Sequence, residues 1–187
     1  MLPFLALLLG LVIAIKHLVA LLAPEPLQTF AQRFPRSPFW GKTLFGVAWI
    51  WTFLLTMTTD LGEFSSLRNS ILGGIVIGGG LFGWLVPDFL AVRSLGFIAL
   101  LAARPLLELT FLQPGTLPFL LSLLAYLWVI VGLFCVGMPY LLRNFITFIT
   151  TPSRTHLWRS LAWIGLFYGL VLFILGCWQV IPLSLNN

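Results

Sequence analysis

With 187 residues, 60% of them hydrophobic, only 8% charged and a mean hydropathy of +1.07, the chain lies far outside the composition of soluble domains, in which about a quarter of residues are charged. Composition excludes a water-soluble enzyme or binding module and specifies an integral membrane protein. The net charge of +5 would suggest nucleic acid in a soluble protein, but here the basic residues stand beside the ends of apolar runs, so no nucleic-acid partner is expected.

Apolar runs of about 20 residues, separated by short polar or proline-rich pieces, mark transmembrane helices, and the alternation of a β-barrel is absent. The expected fold is all-α, a polytopic membrane protein of six transmembrane helices in three hairpins with two interfacial amphipathic helices, residues 1–187 forming a single transmembrane domain. The first span covers about 2–23. It resembles a signal peptide only superficially: no Lys or Arg precedes the apolar run, and Lys16 and His17 interrupt it before any suitable cleavage site. Pro24-Glu25-Pro26 closes it. Leu27, Phe30 and Phe34 then recur at helical spacing with Gln28, Gln32 and Arg33 between them, the pattern of a short interfacial helix ended by Pro35 and Pro38.

The second span covers about 43–58, starting as early as Trp40, and gives way to the acidic connection Thr59, Asp60, Gly62 and Glu63. At its head, Gly41-Lys42-Thr43 looks like the end of a phosphate-binding loop, but Arg36 stands where that loop needs a glycine. Lys42 is instead expected to anchor the helix by reaching the phosphate layer. The third span, 69–86, carries six glycines and is expected at the centre of the bundle. Read as a helix, Ser66, Ser70, Gly74 and Gly78 form a small-residue packing face along which another backbone can approach closely. Trp84 and Pro87 close this span, and Asp88 suits the first turn of the next helix.

The fourth span, 89–111, is unusual in carrying Arg93, Arg104, Pro105 and Glu108. The break at Arg104-Pro105 leaves open whether it crosses fully. Gln113-Pro114-Gly115 ends it, the fifth span covers 118–138, and Pro139 opens a second amphipathic piece over 140–151. The sixth span covers 157–180 and precedes a short uncharged tail.

Placing Arg33, Arg36, Lys42, Arg93, Arg143, Arg154 and Arg159 on one side leaves only Arg68 in an opposite-side loop. The positive-inside rule then puts both termini on the non-cytoplasmic side of the plasma (inner) membrane. Trp40, Trp84 and Trp158 fall near the inner interface and Trp178 near the outer one, as aromatic-belt residues should. The two cysteines, Cys135 and Cys177, belong near opposite ends of their spans, too far apart for a disulfide. A weak repeat relates Pro35 and Lys42-Thr43-Leu44 to Pro152 and Arg159-Ser160-Leu161. It reads either as a parallel duplication or, more plainly, as two uses of one way to enter a membrane.

Arg104 and Glu108, with Lys16 and His17, make up the candidate intramembrane polar site, because ionisable groups within a span cost about 2.5–3.5 kcal/mol each unless paired or hydrated. Arg104 and Glu108 are one turn apart and able to pair. The pair reads as a polar pocket or relay, or as an ion pair that fixes helix packing. His17 and His156, the only histidines, would both lie toward the cytoplasmic side, where two facing imidazoles hold a haem iron in some proteins. The plainer reading is a hydrogen-bonded histidine at 17 and an interfacial one at 156, and no cofactor is expected. No metal-ligand spacing, HExxH or nucleophile motif occurs, so no catalytic residue is assigned and no enzyme is expected.

The expected function is a small non-catalytic subunit or scaffold of a larger membrane complex, in contact with the lipid bilayer and with protein partners or further copies of itself. The alternative is a small transporter or channel using the polar residues of span four. A haem carrier or intramembrane enzyme comes third.

Overall fold

The computed structural model describes residues 1–85 and 88–185, with side chains described as far as Val180. Among the described residues every regular element is helical: α1 (Leu2–Leu22), α2 (Pro24–Arg33), α3 (Pro38–Thr58), α4 (Arg68–Leu85), α5 (Leu90–Thr110), α6 (Thr116–Gly137), α7 (Pro139–Ile149) and α8 (Thr155–Leu185). The expected end of the third span at Val86 and its stop at Pro87 lie outside the described residues.

Prolines punctuate the chain by starting helices rather than only stopping them. Ala23 leaves the helical region at φ −131° and ψ 68°, and Pro24, which has no N–H to lose, opens α2 directly. Pro38 and Pro139 open α3 and α7 in the same way. Pro105, by contrast, lies inside α5, which continues unbroken to Thr110. The helices α2 and α7 cover most of the two stretches expected to be amphipathic, and Gln32 Nε2 donates to Thr150 Oγ1 at 2.8 Å.

Four stretches are individually long and apolar enough to cross a membrane: α1, α5, α6 and Pro152–Val180. Pro38–Thr58 and Gly62–Leu85 reach that standard only as a pair, bent by 114° at the intervening break, which gives four to five candidate spans among the described residues.

The chain forms two compact units. The first comprises 1–32, 104–127 and 144–187. Its core is the antiparallel pair of α1 and α8, in which Trp158 Nε1 donates to the Ala20 carbonyl at one end (3.0 Å) and Gly176 meets Leu7 and Pro3 at the other. Between them the backbones nearly touch. A methyl placed on Gly169 would lie 2.6 Å from the Ala14 nitrogen, and one on Gly10 would lie 2.8 Å from the Gly169 carbonyl oxygen. Ala6, Gly10 and Ala14, four apart, are all buried. This is the close approach that small residues permit between membrane helices. Elsewhere in the unit, Tyr168 donates to the Leu120 carbonyl (2.6 Å) and Ser122 to the hydroxyl of Thr110 (2.8 Å).

The second unit comprises 33–103 and 128–143. Here α3 and α4 pack through aromatic rings seated on glycines: Phe45 on Gly83 and Trp49 on Gly79. Phe45 stacks on Trp49 and Phe82, and Phe82 meets Phe97 edge-on. Gly96 and Gly132 bring α5 and α6 together, each within about 3 Å of the other's carbonyl oxygen if given a methyl. Two arginines close helix ends in this unit. The Arg68 guanidinium donates to the carbonyls of Thr56, Met57 and Thr59 at the C-terminus of α3, and Arg93 Nη1 donates to the Val136 carbonyl near the C-terminus of α6 (3.3 Å). Carbonyls in a last turn have no helical donor and carry the negative end of the dipole, so a cation there is stabilising.

Candidate functional site

The four residues expected to form a polar site lie on two helices, Lys16 and His17 on α1 and Arg104 and Glu108 on α5. Arg104 and Glu108 do meet: Nε donates to Oε1 at 2.7 Å along α5, with 44% and 60% of the two side chains exposed. The pair therefore faces outward and is not enclosed in a pocket. On α1, Lys16 is exposed, while His17 is half-buried. The His17 ring shares a short hydrogen bond between Nδ1 and the Ile13 carbonyl (2.7 Å), and its other edge fills the notch left by Gly165 on α8, where a methyl would collide with the imidazole.

His156 is exposed at the start of α8. It lies nine residues before Gly165, or about 13 Å along the helix axis. The structure thus seats His17 against Gly165 and does not bring the two imidazoles together. Both cysteines are free thiols.

The small-residue face of the third span divides in an instructive way. Ser66 belongs to the 3-10 segment Gly62–Leu67 and precedes α4. Gly74 and Gly78 have nothing within 4 Å of where a methyl would stand. The glycines that α3 packs against are Gly79 and Gly83, one residue or more round the helix. Trp49 shows why: its Nε1 donates to the Ile75 carbonyl at 2.9 Å, and that approach needs the absence of a side chain one turn later, at residue 79.

What Gly74 and Gly78 do instead is floor an open groove of 400 Å³ on this unit, walled by Phe45, Trp49, Phe82 and Phe97. Its surface is mostly apolar, with Thr52 the one hydroxyl-bearing residue in its lining. That hydroxyl donates back to the Ala48 carbonyl (2.8 Å). No group in the groove is poised for acid–base, nucleophilic or metal chemistry. What it offers is shape: a channel with a glycine floor along a helix, of the kind a second helix can enter closely.

Sequence reasoning also missed the ladder Ala6–Gly10–Ala14, although the four-residue spacing of small residues was present in the chain. Its partner Gly169 lies on the last helix, and sequence spacing alone does not pair the two. Comparison with protein-family models, with characterised proteins and with solved structures gives no match.

Proposed function

We propose that the protein is a small, non-catalytic integral subunit or scaffold of a larger assembly in the plasma (inner) membrane, and that the groove floored by Gly74 and Gly78 receives a transmembrane helix of a partner protein. The observation that carries this reading is that, among the described residues, nothing lies within 4 Å of where a methyl on either glycine would stand, while both line a mostly apolar groove. In lipid, association rests on close van der Waals packing. An unfilled small-residue trough is therefore the feature that distinguishes a partner-binding face from a merely lipid-facing one. The transport reading has less support, because Arg104 and Glu108 bond to one another on an exposed face.

On this proposal α1, α3, α4, α5, α6 and α8 are six spans in three hairpins, with both termini on the non-cytoplasmic side and α2 and α7 in the inner interface. Support comes from the lengths of α3 and α4, 21 and 18 residues, or about 31 and 27 Å, each close to the roughly 30 Å hydrocarbon core by itself.

The test is extraction in a mild detergent, with mass determination of the intact particle for the natural chain and for Gly74→Leu and Gly78→Leu. A particle holding a second polypeptide in fixed ratio, lost in the two variants while the 20.9 kDa chain stays folded, is the expected result. A particle made only of this chain, or one unchanged by the substitutions, would overturn the proposal.

A further inference from the structure

A second concavity of the unit comprising 33–103 and 128–143 has the opposite chemistry to the groove. It is a cavity of 580 Å³ where the start of α3, the turn before α5 and the first turns of α7 converge. Its charged lining consists of Arg36, Lys42 and Arg143 against one carboxylate, Asp88. Formal charges of +3 and −1 leave +2, an arrangement that repels itself unless an anion enters. Ser37, the N-cap of α3, also lines it, so the positive dipole end of a 21-residue helix adds to the same field.

The floor of the cavity is built. Gly41 brings α3 against Leu90 and Ala91 so closely that a methyl would lie 3.2 Å from both. Phe89 holds a left-handed φ of 55°, a conformation that costs a bulky residue of order 1–3 kcal/mol. There its ring lies under the Arg143 guanidinium, 5.5 Å from the centroid. A ring face attracts a cation placed over it, and a guanidinium carries the planar set of donors that suits phosphate oxygens. Arg36 and Lys42 come from one stretch at the start of α3 and Arg143 from α7, so the fold brings the third cation to the other two.

We infer that this cavity binds a phosphoryl group carrying about two negative charges, supplied by the head group of a membrane lipid. The charge of the lining matches a phosphomonoester, and the volume lies within the range of small-molecule sites, roughly 300–1,000 Å³. The cavity opens at the ends of apolar helices, the level at which lipid phosphates lie. A water-soluble phosphomonoester shares the same chemistry and would use the same three cations.

The full-length protein in an uncharged detergent is titrated with dioctanoyl phosphatidic acid, with glycerol phosphate and with dioctanoyl phosphatidylcholine, and thermal unfolding is followed, since a ligand of the native state raises the midpoint with concentration. Phosphatidic acid is expected to give a saturable rise and phosphatidylcholine none. Arg36→Gln, Lys42→Gln and Arg143→Gln each weaken the response by roughly tenfold. Asp88→Asn strengthens it. Arg154→Gln, which removes a cation that lies over Phe148 and outside the cavity, leaves it unchanged. If glycerol phosphate saturates at the same concentration as the lipid, the phosphoryl site stands and its ligand comes from solution; if it is much weaker, the lipid source stands. Absence of a saturable response to either phosphate, retention of the response in Lys42→Gln and Arg36→Gln, whose side chains are exposed and whose folding is checked by the unfolding curve itself, or an equal loss in Arg154→Gln would overturn the inference.

Discussion

The indole nitrogen of Trp49 donates to the backbone carbonyl of Ile75 at 2.9 Å, from α3 across to α4, and reaches it only because residue 79 is glycine. An aromatic ring, a carbonyl and a missing side chain thus act as one device. Gly79→Ala would gain up to about 1 kcal/mol of helix propensity, yet the methyl collides with the indole and the net effect is a loss of about 1–3 kcal/mol. Trp49→Phe removes the hydrogen bond and costs about 1 kcal/mol. Because both changes act on one contact, the double variant is expected to lose at least about 0.5 kcal/mol less than the sum. Denaturation of all four proteins in the same detergent measures this, and strict additivity would show that the ring and the glycine do not interact.

The glycines that meet backbone and those that meet nothing make opposite predictions. Gly10→Ala and Gly169→Ala push a methyl against main-chain atoms that cannot rotate away. Each is expected to destabilise by more than about 2 kcal/mol, as overpacking against a rigid neighbour does. Gly74→Ala and Gly78→Ala meet open space and should be neutral or stabilise by up to about 1 kcal/mol, through helix propensity alone. Thermal midpoints of the isolated chain separate the two pairs. A loss on Gly74→Ala comparable to that on Gly169→Ala would place a neighbour where the groove is described.

Helix boundaries were legible because prolines, the Gln113-Pro114-Gly115 turn and the polar connection at Asp60–Glu63 interrupt otherwise continuous apolar sequence. The ion pair of Arg104 and Glu108 was legible because two residues four apart on a helix face one another whatever the tertiary fold. Which glycines touch was not. In a membrane helix both the protein-facing and the lipid-facing sides are apolar, so periodicity marks no inner face. The glycine-rich third span points to Gly74 and Gly78, while a close backbone contact runs through Gly10 and Ala14, diluted among leucines. The basic cavity was equally hidden. Lys42 reads as an anchor and Arg36 and Arg143 as members of the basic side, and the fold brings Arg143 to the other two around one cavity.

Arg68, the one basic residue that the charge bias leaves on the opposite side, is a helix cap. Its guanidinium serves the carbonyls of Thr56, Met57 and Thr59, so its position follows from the need to finish α3 rather than from topology. Arg68→Gln is expected to cost about 1.5–3 kcal/mol, the range for hydrogen bonds to a charged group. Arg68→Lys should recover only part of it, since one ammonium cannot present the same planar fork. A thermal midpoint for Arg68→Lys equal to that of the natural chain would reduce the interaction to simple charge.

The connection between α3 and α4 decides how the chain crosses the bilayer. Were the bent pair a single span, its 39 helical residues (21 and 18) would amount to about 59 Å of helix, nearly twice the hydrocarbon thickness. Asp60 and Glu63 would then sit near the midplane at about 2.5–3.5 kcal/mol each. As two spans, the pair places these exposed carboxylates in water. A variant carrying Glu63→Cys, in a background of Cys135→Ala and Cys177→Ala, is therefore expected to react with a membrane-impermeant maleimide added to intact cells. A cysteine at Leu2 should react in the same way, because two spans in this region leave both termini on the side where residue 63 emerges. Labelling at Leu2→Cys with none at Glu63→Cys, even after the cells are opened, would instead bury the connection and reduce the six-span arrangement to four or five.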